Sequence, residues 1–358
     1  SLDPDTNGYT SESFEEGTVG LDMTLSLFEG FSRINQVRFR KMNKERSEWE
    51  LKEKQNELAY QVTDAYYKLI LERKLLDLAL EQSRLSERYL KQTEVFVELG
   101  LKSASDLQEV KARREGDIYR YQSRENSSRI ALLHLKQLMN IQPGDTLAIL
   151  DTITASQLPP YSVSTVETLY AQSIEILPSI RMIDLKQKAA HKEYAIAGGA
   201  FSPSVFARFT VGSNYYNTAF SARQLRDNIG KYVGVGISFP LLSGLQRLTN
   251  QRKLKLNMYR LKNEEELEKQ QLYTDIEQTL LSLHTGYSEH QQALSQLDAE
   301  TLVLKESERK WEEGLISVFQ LMEARNRFIA AKAELVRVRL QIEMMMKLEK
   351  YYRQGTFL

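Results

Sequence analysis

The side chains that most often carry chemistry in proteins are few in this chain, and they are spaced too far apart to predict a catalytic or metal site. The 358 residues include no cysteine, which excludes disulfides, thiolate catalysis and cysteine-held metals. No P-loop, GxGxxG or GxSxG motif occurs. No two of the four histidines are three or four residues apart: His134, His191, His284 and His290. We therefore predict no enzyme activity, no cofactor and no bound metal.

The charge and hydropathy of the chain exclude further classes of protein. Lys+Arg and Asp+Glu are both 48, so the net charge is zero, which argues against a nucleic-acid partner. No run of about 18 apolar residues is present, so no transmembrane helix is expected. The polar first residues do not resemble a signal peptide, and we expect any such peptide to have been removed. The few prolines and glycines are clustered, which favours long helices.

Four glycines divide the chain into two similar halves. Gly30 and Gly244 are 214 residues apart, and so are Gly100 and Gly314. Within each half, the second glycine follows the first by 70 positions. Two tracts of equal length, without an insertion in either, predict a repeated rigid element whose length matters.

Each 70-residue interval between these glycines predicts one long helix. Residues 31–99 and 245–313 contain no proline and a single glycine, Gly286. A heptad series of mostly apolar residues starts at Val62 in the first tract and at Ile276 in the second, which predicts a coiled-coil-like packing seam. At about 1.5 Å per residue, each helix would be about 105 Å long. An ordinary long bundle helix has the same pattern, so periodicity alone does not distinguish a bundle from a conduit.

A tight turn is predicted after each long helix. Glycine ends a helix in the left-handed conformation without a Cβ penalty, and a serine that follows can cap the next helix. Each half is then a helical hairpin. The predicted tip turns are Gly100 with Ser103 (or Ser105) and Gly314 with Ser317, and the return helices run from about 104 to 140 and from about 318 to 353.

Immediately before the first glycine of each half, the apolar period changes to two. Residues 18–27 and 231–241 alternate apolar with polar or small residues, and 203–213 does so less regularly. Such runs are typical of transmembrane β-strands and equally of soluble, half-buried strands. Residues 214–230 form a loop that joins the last two strands, and 1–17 lead into the first. If the strands span a membrane, several copies must close the sheet, because an open edge cannot be hydrated in lipid.

We divide the chain into a first repeat, an inter-repeat segment and a second repeat. The second repeat begins with a helix (about 178–199) and a strand that have no counterpart in the first, so symmetry predicts that a helix and a strand are missing before residue 1. The inter-repeat segment contains Pro143 and Pro159-Pro160, with a short helix from about 164. The predicted boundaries are 1–140, 141–177 and 178–358.

Several of these segments resemble the TolC-like outer-membrane efflux proteins of Gram-negative bacteria. They are PLLSGLQR after the third strand, the turns ELGLKSASDLQEV and EEGLISVFQLMEARNRF, and the terminal KLEKYYRQGTFL. The resemblance implies a homotrimer in which each subunit contributes four strands to one shared transmembrane β-barrel, while its helices form a periplasmic α-barrel that narrows at the tips. It implies as partners a periplasmic adaptor (membrane fusion protein), an inner-membrane transporter and outer-membrane lipid, in tripartite efflux or type I secretion.

The resemblance also implies a periplasmic gate at the tips. The two acidic positions of the gate fall at Gln320 and Glu323, so one carboxylate is kept, and an acidic position of the first turn falls at Asp106. An aromatic gate position falls at Trp311, and a basic position falls at Ile316, where the charge is absent. A ring of Glu323 from three subunits would favour cations. A solvated helix carboxylate is the competing interpretation of Glu323, and a packing role is the competing interpretation of Trp311.

Two other functions match parts of the sequence. A periplasmic adaptor also carries a helical hairpin, but it has one hairpin flanked by β-domains, whereas two hairpins and few strands are predicted here. A soluble structural coiled coil needs no alternating strands before its helices. We therefore predict a mainly α protein with a small β part, built from two tandem strand–helix–turn–helix repeats, which serves as an outer-membrane channel that exports small molecules or proteins.

Overall fold

Long helices account for most of the chain, and the strands of the described residues form one small antiparallel sheet. The computed structural model describes residues 15–142, 144–150, 158, 164–217, 222–241 and 245–357. Gly244, Pro143, Pro159 and Pro160 lie outside the described residues, as does most of the predicted leading loop, 1–14. The prediction of a mainly helical fold with a small β part is confirmed.

The elements of the described residues follow one another in this order: β1 (Glu15–Glu29), α1 (Ser32–Glu98), α2 (Ala104–Leu138), α3 (Val166–Ile176), α4 (Pro178–Gly199), β2 (Ser204–Asn217), α5 (Ala222–Asp227), β3 (Gly230–Ser238), α6 (Gln246–Glu312) and α7 (Val318–Gln354). Helices α1 and α6 have the same length, 67 residues each. The predicted loop 214–230 differs from the structure, because β2 extends into it and the short helix α5 lies within it.

The chain forms two compact units. Unit 1 consists of Ser1–Ser47 with Met182–Glu265, and unit 2 of Glu48–Arg181 with Glu266–Leu358. Unit 1 therefore holds the sheet and the ends of the helices that adjoin it, and unit 2 holds the helical hairpins. No helix in the described part of the chain is both long enough and apolar enough to cross a membrane.

The sheet of unit 1 has the order β1–β2–β3, with antiparallel pairing throughout. Met23 of β1 pairs with Phe209 of β2, which pairs with Val233 of β3. Side chains on directly paired residues share a face of the sheet. One face is therefore apolar across all three strands, through Val19, Leu21, Met23 and Leu25, then Val205, Ala207, Phe209 and Val211, then Val233, Val235 and Ile237.

This apolar face of the sheet is exposed, whereas the opposite face is polar. Met23 is 58% exposed and Val233 is 71% exposed. On the opposite face the Thr210 hydroxyl donates a hydrogen bond of 2.6 Å to the Asp22 carboxylate. A soluble sheet covers its apolar face with a core, so this largely exposed apolar face requires a cover from outside the described residues.

Two close backbone approaches fix the junction between β1 and α1. Gly30 has φ +56°, and a Cβ added there would lie 2.5 Å from the Gly199 carbonyl oxygen and 2.6 Å from the Ser202 Cβ. The Ser32 hydroxyl donates a hydrogen bond of 3.1 Å to the Ile196 carbonyl. The end of α4 therefore packs directly against the start of α1, and only glycine fits at the contact.

We expect Gly30→Ala to destabilise the protein more than Gly100→Ala. Both glycines have a positive φ, but nothing described lies within 4 Å of a Cβ added at Gly100. The left-handed conformation alone costs about 1–2 kcal/mol for alanine, and forced contacts add about 1–3 kcal/mol more at Gly30. The free energies of unfolding are compared by urea titration in detergent, followed by circular dichroism. Equal losses in the two variants would contradict the predicted close approach.

The core of unit 2 lies between the long helices and the helix α3. One cluster of buried residues joins α3, the start of α4, α6 and α7, and its most buried members include Leu169, Ile276 and Leu283. A second cluster, of Ala65, Leu69 and Leu135, joins α1 to α2. Asn56 of α1 holds the end of the chain, since its amide donates to the Gly355 carbonyl and its carbonyl accepts from the Phe357 amide, both at 3.2 Å.

Candidate functional site at the hairpin tips

The two hairpin tips of unit 2 have the same backbone structure. Gly100 and Gly314 both have φ +74°. The Leu101 amide donates to the Phe96 carbonyl at 2.8 Å, and the Leu315 amide donates to the Lys310 carbonyl at the same distance. This is the Schellman end of a helix, in which glycine takes the left-handed position and the chain turns at once.

A reciprocal capping box begins each return helix. Ser103 caps α2: its hydroxyl accepts from the Asp106 amide at 3.1 Å, and its own amide donates to the Asp106 carboxylate at 2.9 Å. Ser317 caps α7 in the same way with Gln320, at 3.3 Å and 3.0 Å. Asp106 and Gln320 thus occupy equivalent third positions of the two helices, and each side chain is used to cap its own turn.

The first tip should lose stability in acid while the second does not. The backbone hydrogen bond from Ser103 lowers the pKa of Asp106, and the Ser103 hydroxyl lowers it further. A carboxyl group whose pKa falls on folding stabilises the fold above its unfolded pKa, and this contribution is lost as the pH falls through the folded pKa. We expect amide-exchange protection over 103–107 to decrease below about pH 4, with no matching decrease over 317–321, because Gln320 does not titrate.

The variant Asp106→Gln is the matched control for this pH dependence. It gives the first tip the same capping pair as the second, so the two tips should then respond alike to acid. A decrease of equal size at both tips of the unaltered protein would contradict the assignment to Asp106.

Glu323 lies on the second return helix and is paired with a neighbouring arginine. The Arg327 guanidinium contacts the Glu323 carboxylate at 3.3 Å and the Glu300 carboxylate at 3.3 Å. The Glu323 side chain is 57% exposed, so it remains accessible to ions despite this pair.

A second carboxylate, Glu109, lines the same groove as Glu323. The groove, of about 370 Å³, lies between α2 and α7, and its apolar walls include Val110 and Met322. Glu109 and Glu323 are separated by the 214-residue offset, and this signal in the sequence could have identified Glu109. The return helices thus bring two equivalent carboxylates to one groove, and the sequence interpretation named only one of them.

Trp311 is buried at the base of the tips and is 2% exposed. Its ring makes edge-to-face contact with Tyr89 at 5.1 Å and lies 5.8 Å from Phe96. Val110, Val318, Leu321 and Met322 complete the tip cluster around it, and Ile316 packs against the edge of this cluster. Within this chain, Trp311 holds the helices of both hairpins together.

A buried arginine that sequence reasoning missed lies beside the tip cluster. Arg325 is 4% exposed, and its guanidinium lies 5.2 Å from the centre of the Tyr89 ring. The Tyr89 hydroxyl also bonds Glu308 at 3.3 Å, and burial raises the pKa of Tyr89. Arg325 therefore places a buried positive charge against an aromatic ring beside the tip cluster. Among the described residues, no three His, Asp or Glu side chains are grouped to hold a metal.

A sheet with one exposed apolar face and two helical hairpins whose long helices are equal in length are features expected of an outer-membrane channel. The family model of the outer membrane efflux proteins matches residues 2–140 and 169–344. The chain belongs to this family. It is an outer-membrane channel component of an efflux system, located in the outer membrane and extending into the periplasm.

Solved channel structures share the fold at low sequence identity. The Campylobacter jejuni CmeC outer membrane channel has a TM-score of 0.82 at 13% identity, over 96% of this chain and 78% of that one. The outer membrane protein VceC of Vibrio cholerae has a TM-score of 0.79 at 15% identity, over 97% and 88%. The open state of the Neisseria gonorrhoeae MtrE outer membrane channel has a TM-score of 0.74 at 16% identity, over 97% and 81%. No curated protein matches the chain.

Proposed function

We propose that three copies of this chain form one channel that exports small molecules or proteins across the periplasm and the outer membrane. In this proposal the strands of the copies close a shared β-barrel, and a periplasmic adaptor and an inner-membrane transporter deliver the cargo. The observation that carries the proposal is the exposed apolar face that runs across β1, β2 and β3.

The unpaired edges of the sheet support assembly from several copies. In the described residues, β1 and β3 each pair with β2 only, so one edge of each strand has free backbone groups. An unpaired backbone group in hydrocarbon costs several kcal/mol, and about ten residues would be affected along each edge. Pairing β1 of one copy with a strand of the next copy removes this cost.

The two carboxylates that line the groove, Glu109 and Glu323, outnumber its one basic lining residue, Arg113, and support a cation-selective constriction at the tips. In a trimer, Glu109 and Glu323 would supply two carboxylates from each subunit to one ring. Asp106 and Gln320 would act as caps that hold the tips in shape, since their side chains are engaged by Ser103 and Ser317. Trp311 would set the spacing of the hairpins from inside the tip cluster.

Purification in detergent tests this proposal directly. We expect a monodisperse trimer, and discrete conductance steps when it is added to a planar bilayer. A monomer that keeps its strands without detergent would exclude the channel, and a stable trimer without conductance would exclude the pore.

Charge reversal at Glu323 should lower the preference of the pore for cations. The variant Glu323→Lys replaces one negative by one positive charge in each subunit, which we expect to reduce the permeability ratio of potassium to chloride severalfold. The ratio is obtained from the reversal potential in a salt gradient. Glu334→Lys is the matched control, because Glu334 lies on the same helix and also pairs with an arginine, at 2.6 Å from Arg337. An unchanged ratio in the Glu323 variant would remove this residue from the conduction path.

A further inference from the structure

Both long helices begin with a strongly basic segment. Residues 31–44 contain five Lys or Arg and no Asp or Glu, and residues 245–258 contain four and none. The chain as a whole has 48 of each sign, so this excess of positive charge is local. Three basic positions recur at the offset of 214 residues: Arg33 with Arg247, Arg38 with Arg252, and Lys41 with Lys255.

Most of these side chains are exposed, and the described chain supplies no counter-charge for several of them. Arg33 pairs with Glu29 at 3.3 Å. Within the part of the chain that the structure describes, no carboxylate is at ion-pair distance from five exposed side chains: Arg38, Lys41, Arg252, Lys253 and Lys255. A cluster of like charges at the start of two helices is further disfavoured by the positive end of each helix dipole, so an anionic partner is expected.

Both basic segments start at the same end of the sheet, the end at which β1 and β3 finish. These two strand ends are neighbours, since Glu29 and Ser238 both pair with Ser204 of β2. Two exposed aromatic rings lie at this end of the sheet: Phe31 is 63% exposed and Phe239 is 64% exposed. Aromatic residues at the end of an apolar strand face lie at the boundary between hydrocarbon and headgroups.

With the sheet placed in the membrane as proposed above, the basic side chains would lie at the depth of the headgroups. Arg38 and Lys41 follow Phe31 by about 10 Å and about 15 Å along the helix axis, at about 1.5 Å per residue. Their side chains lean toward the N-terminus of the helix, and hence back toward the end of the sheet. On α1, Arg33, Arg40, Lys41 and Lys44 line one concave stripe together with the exposed apolar Val37. Basic side chains interleaved with apolar ones are typical of a helix face at a lipid surface.

We propose that the basic starts of α1 and α6 bind the phosphate groups of anionic phospholipids in the leaflet that faces the periplasm. The lipid headgroups supply the counter-charge that the described chain lacks, and they fix the depth at which the helices leave the membrane. Each basic side chain near such a surface increases the affinity for anionic lipid about fivefold. This proposal rests on the placement of the sheet in the membrane proposed above.

Lipid retention by purified variants tests the proposal. Protein in neutral detergent is offered equal amounts of phosphatidylglycerol and phosphatidylcholine with the same acyl chains, and the retained lipids are counted by mass spectrometry. The test variant replaces four basic residues by glutamine: Arg38, Lys41, Arg252 and Lys255. The control variant removes the same number of exposed arginines and lysines farther along the same two helices: Arg84, Arg88, Lys91 and Lys305.

We expect the wild type and the control to retain phosphatidylglycerol over phosphatidylcholine by more than about tenfold, and the test variant to lose most of this preference. A charge-preserving variant that exchanges arginine and lysine at the four test positions should keep it. High salt should abolish the preference of the wild type without any substitution, because the Debye length falls to about 3 Å. An equal effect of the test and control variants, or no effect of salt, would overturn the proposal.

Three further outcomes distinguish lipid binding from binding of free anions, from contacts between copies of the chain, and from the proposed channel function. If inorganic phosphate displaces the lipid at constant ionic strength, the site binds free anions and the lipid proposal is wrong. If the test variant loses its trimeric state in detergent without phospholipid, the basic residues pair with another copy, and the proposal is again wrong. Reconstitution into vesicles of mixed phosphatidylglycerol and phosphatidylcholine isolates the proposed function: failure to insert rejects both proposals, whereas insertion without lipid preference rejects only this one.

Discussion

The variant Val233→Arg should not assemble into a membrane-inserted trimer. Val233 lies in the middle of the apolar face, paired with Phe209, and is 71% exposed. An arginine on the lipid side near the bilayer midplane costs about 2–4 kcal/mol, and the cost is incurred once in each copy of the chain. We expect the inserted fraction to fall steeply, as measured by flotation of protein with vesicles and by the amount of trimer in detergent.

Tyr232→Arg is the matched control for this substitution. Tyr232 is the preceding residue of β3, so it lies at nearly the same depth but on the opposite, polar face of the sheet, where it pairs with Thr210. An arginine there would face the water-filled interior that we propose, and insertion should be close to that of the wild type. If the two variants inserted equally well, the apolar face would not be the lipid-facing surface.

The second large effect is expected at Trp311. Trp311→Ala removes a buried indole that contacts Tyr89 and Phe96, and such deletions cost about 3–5 kcal/mol. Protection from amide exchange should fall around the tip cluster in all four helices, because the indole contacts both hairpins. The repeat-equivalent substitution, Val97→Ala, should cost about 1 kcal/mol or less, because Val97 is only half-buried.

The variant Trp311→Phe distinguishes a packing role of Trp311 from a role in the periplasmic gate. The buried indole nitrogen has no hydrogen-bond partner among the described residues, so phenylalanine removes an unsatisfied group as well as apolar area. We therefore expect Trp311→Phe to lose much less protection than the alanine variant. An altered conductance with unchanged protection would instead assign Trp311 to the gate.

The helical part of the fold could be predicted from the sequence because its signals are local. The tract 31–99 contains no helix breaker between two glycines, and the helix runs from Ser32 to Glu98. The turns were equally visible, since Gly100 and Gly314 supply the positive φ that a tight helix end requires.

The strands were found by their alternation, but their ends depended on pairing. β1 starts at Glu15, before its apolar pattern begins, because hydrogen bonding to β2 continues through polar residues. β3 ends at Ser238, short of the predicted 241, where Pro240 lacks the amide needed to continue a ladder. The helix α5 was missed, since its contacts are with β2: the Ser213 hydroxyl donates a hydrogen bond to the Leu225 carbonyl.

The candidate site was only partly visible, because a residue type does not show what a side chain contacts. Asp106 and Gln320 were named for a gate, and in the structure each caps its own helix. Glu109 joins Glu323 only because α2 and α7 lie on either side of one groove. Arg325 looks like any helix arginine in the sequence, yet packing places it over Tyr89.

The sequence by itself therefore determined the length of the helices, the position of the turns and the presence of alternating strands. Each of these depends on residues within a few positions of one another, through backbone preference and side-chain period. Only the tertiary structure decided which side chains are buried and which meet. The contact of Trp311 with Tyr89 joins residues 222 positions apart, and the energy of such a contact depends on helix packing that no local pattern encodes.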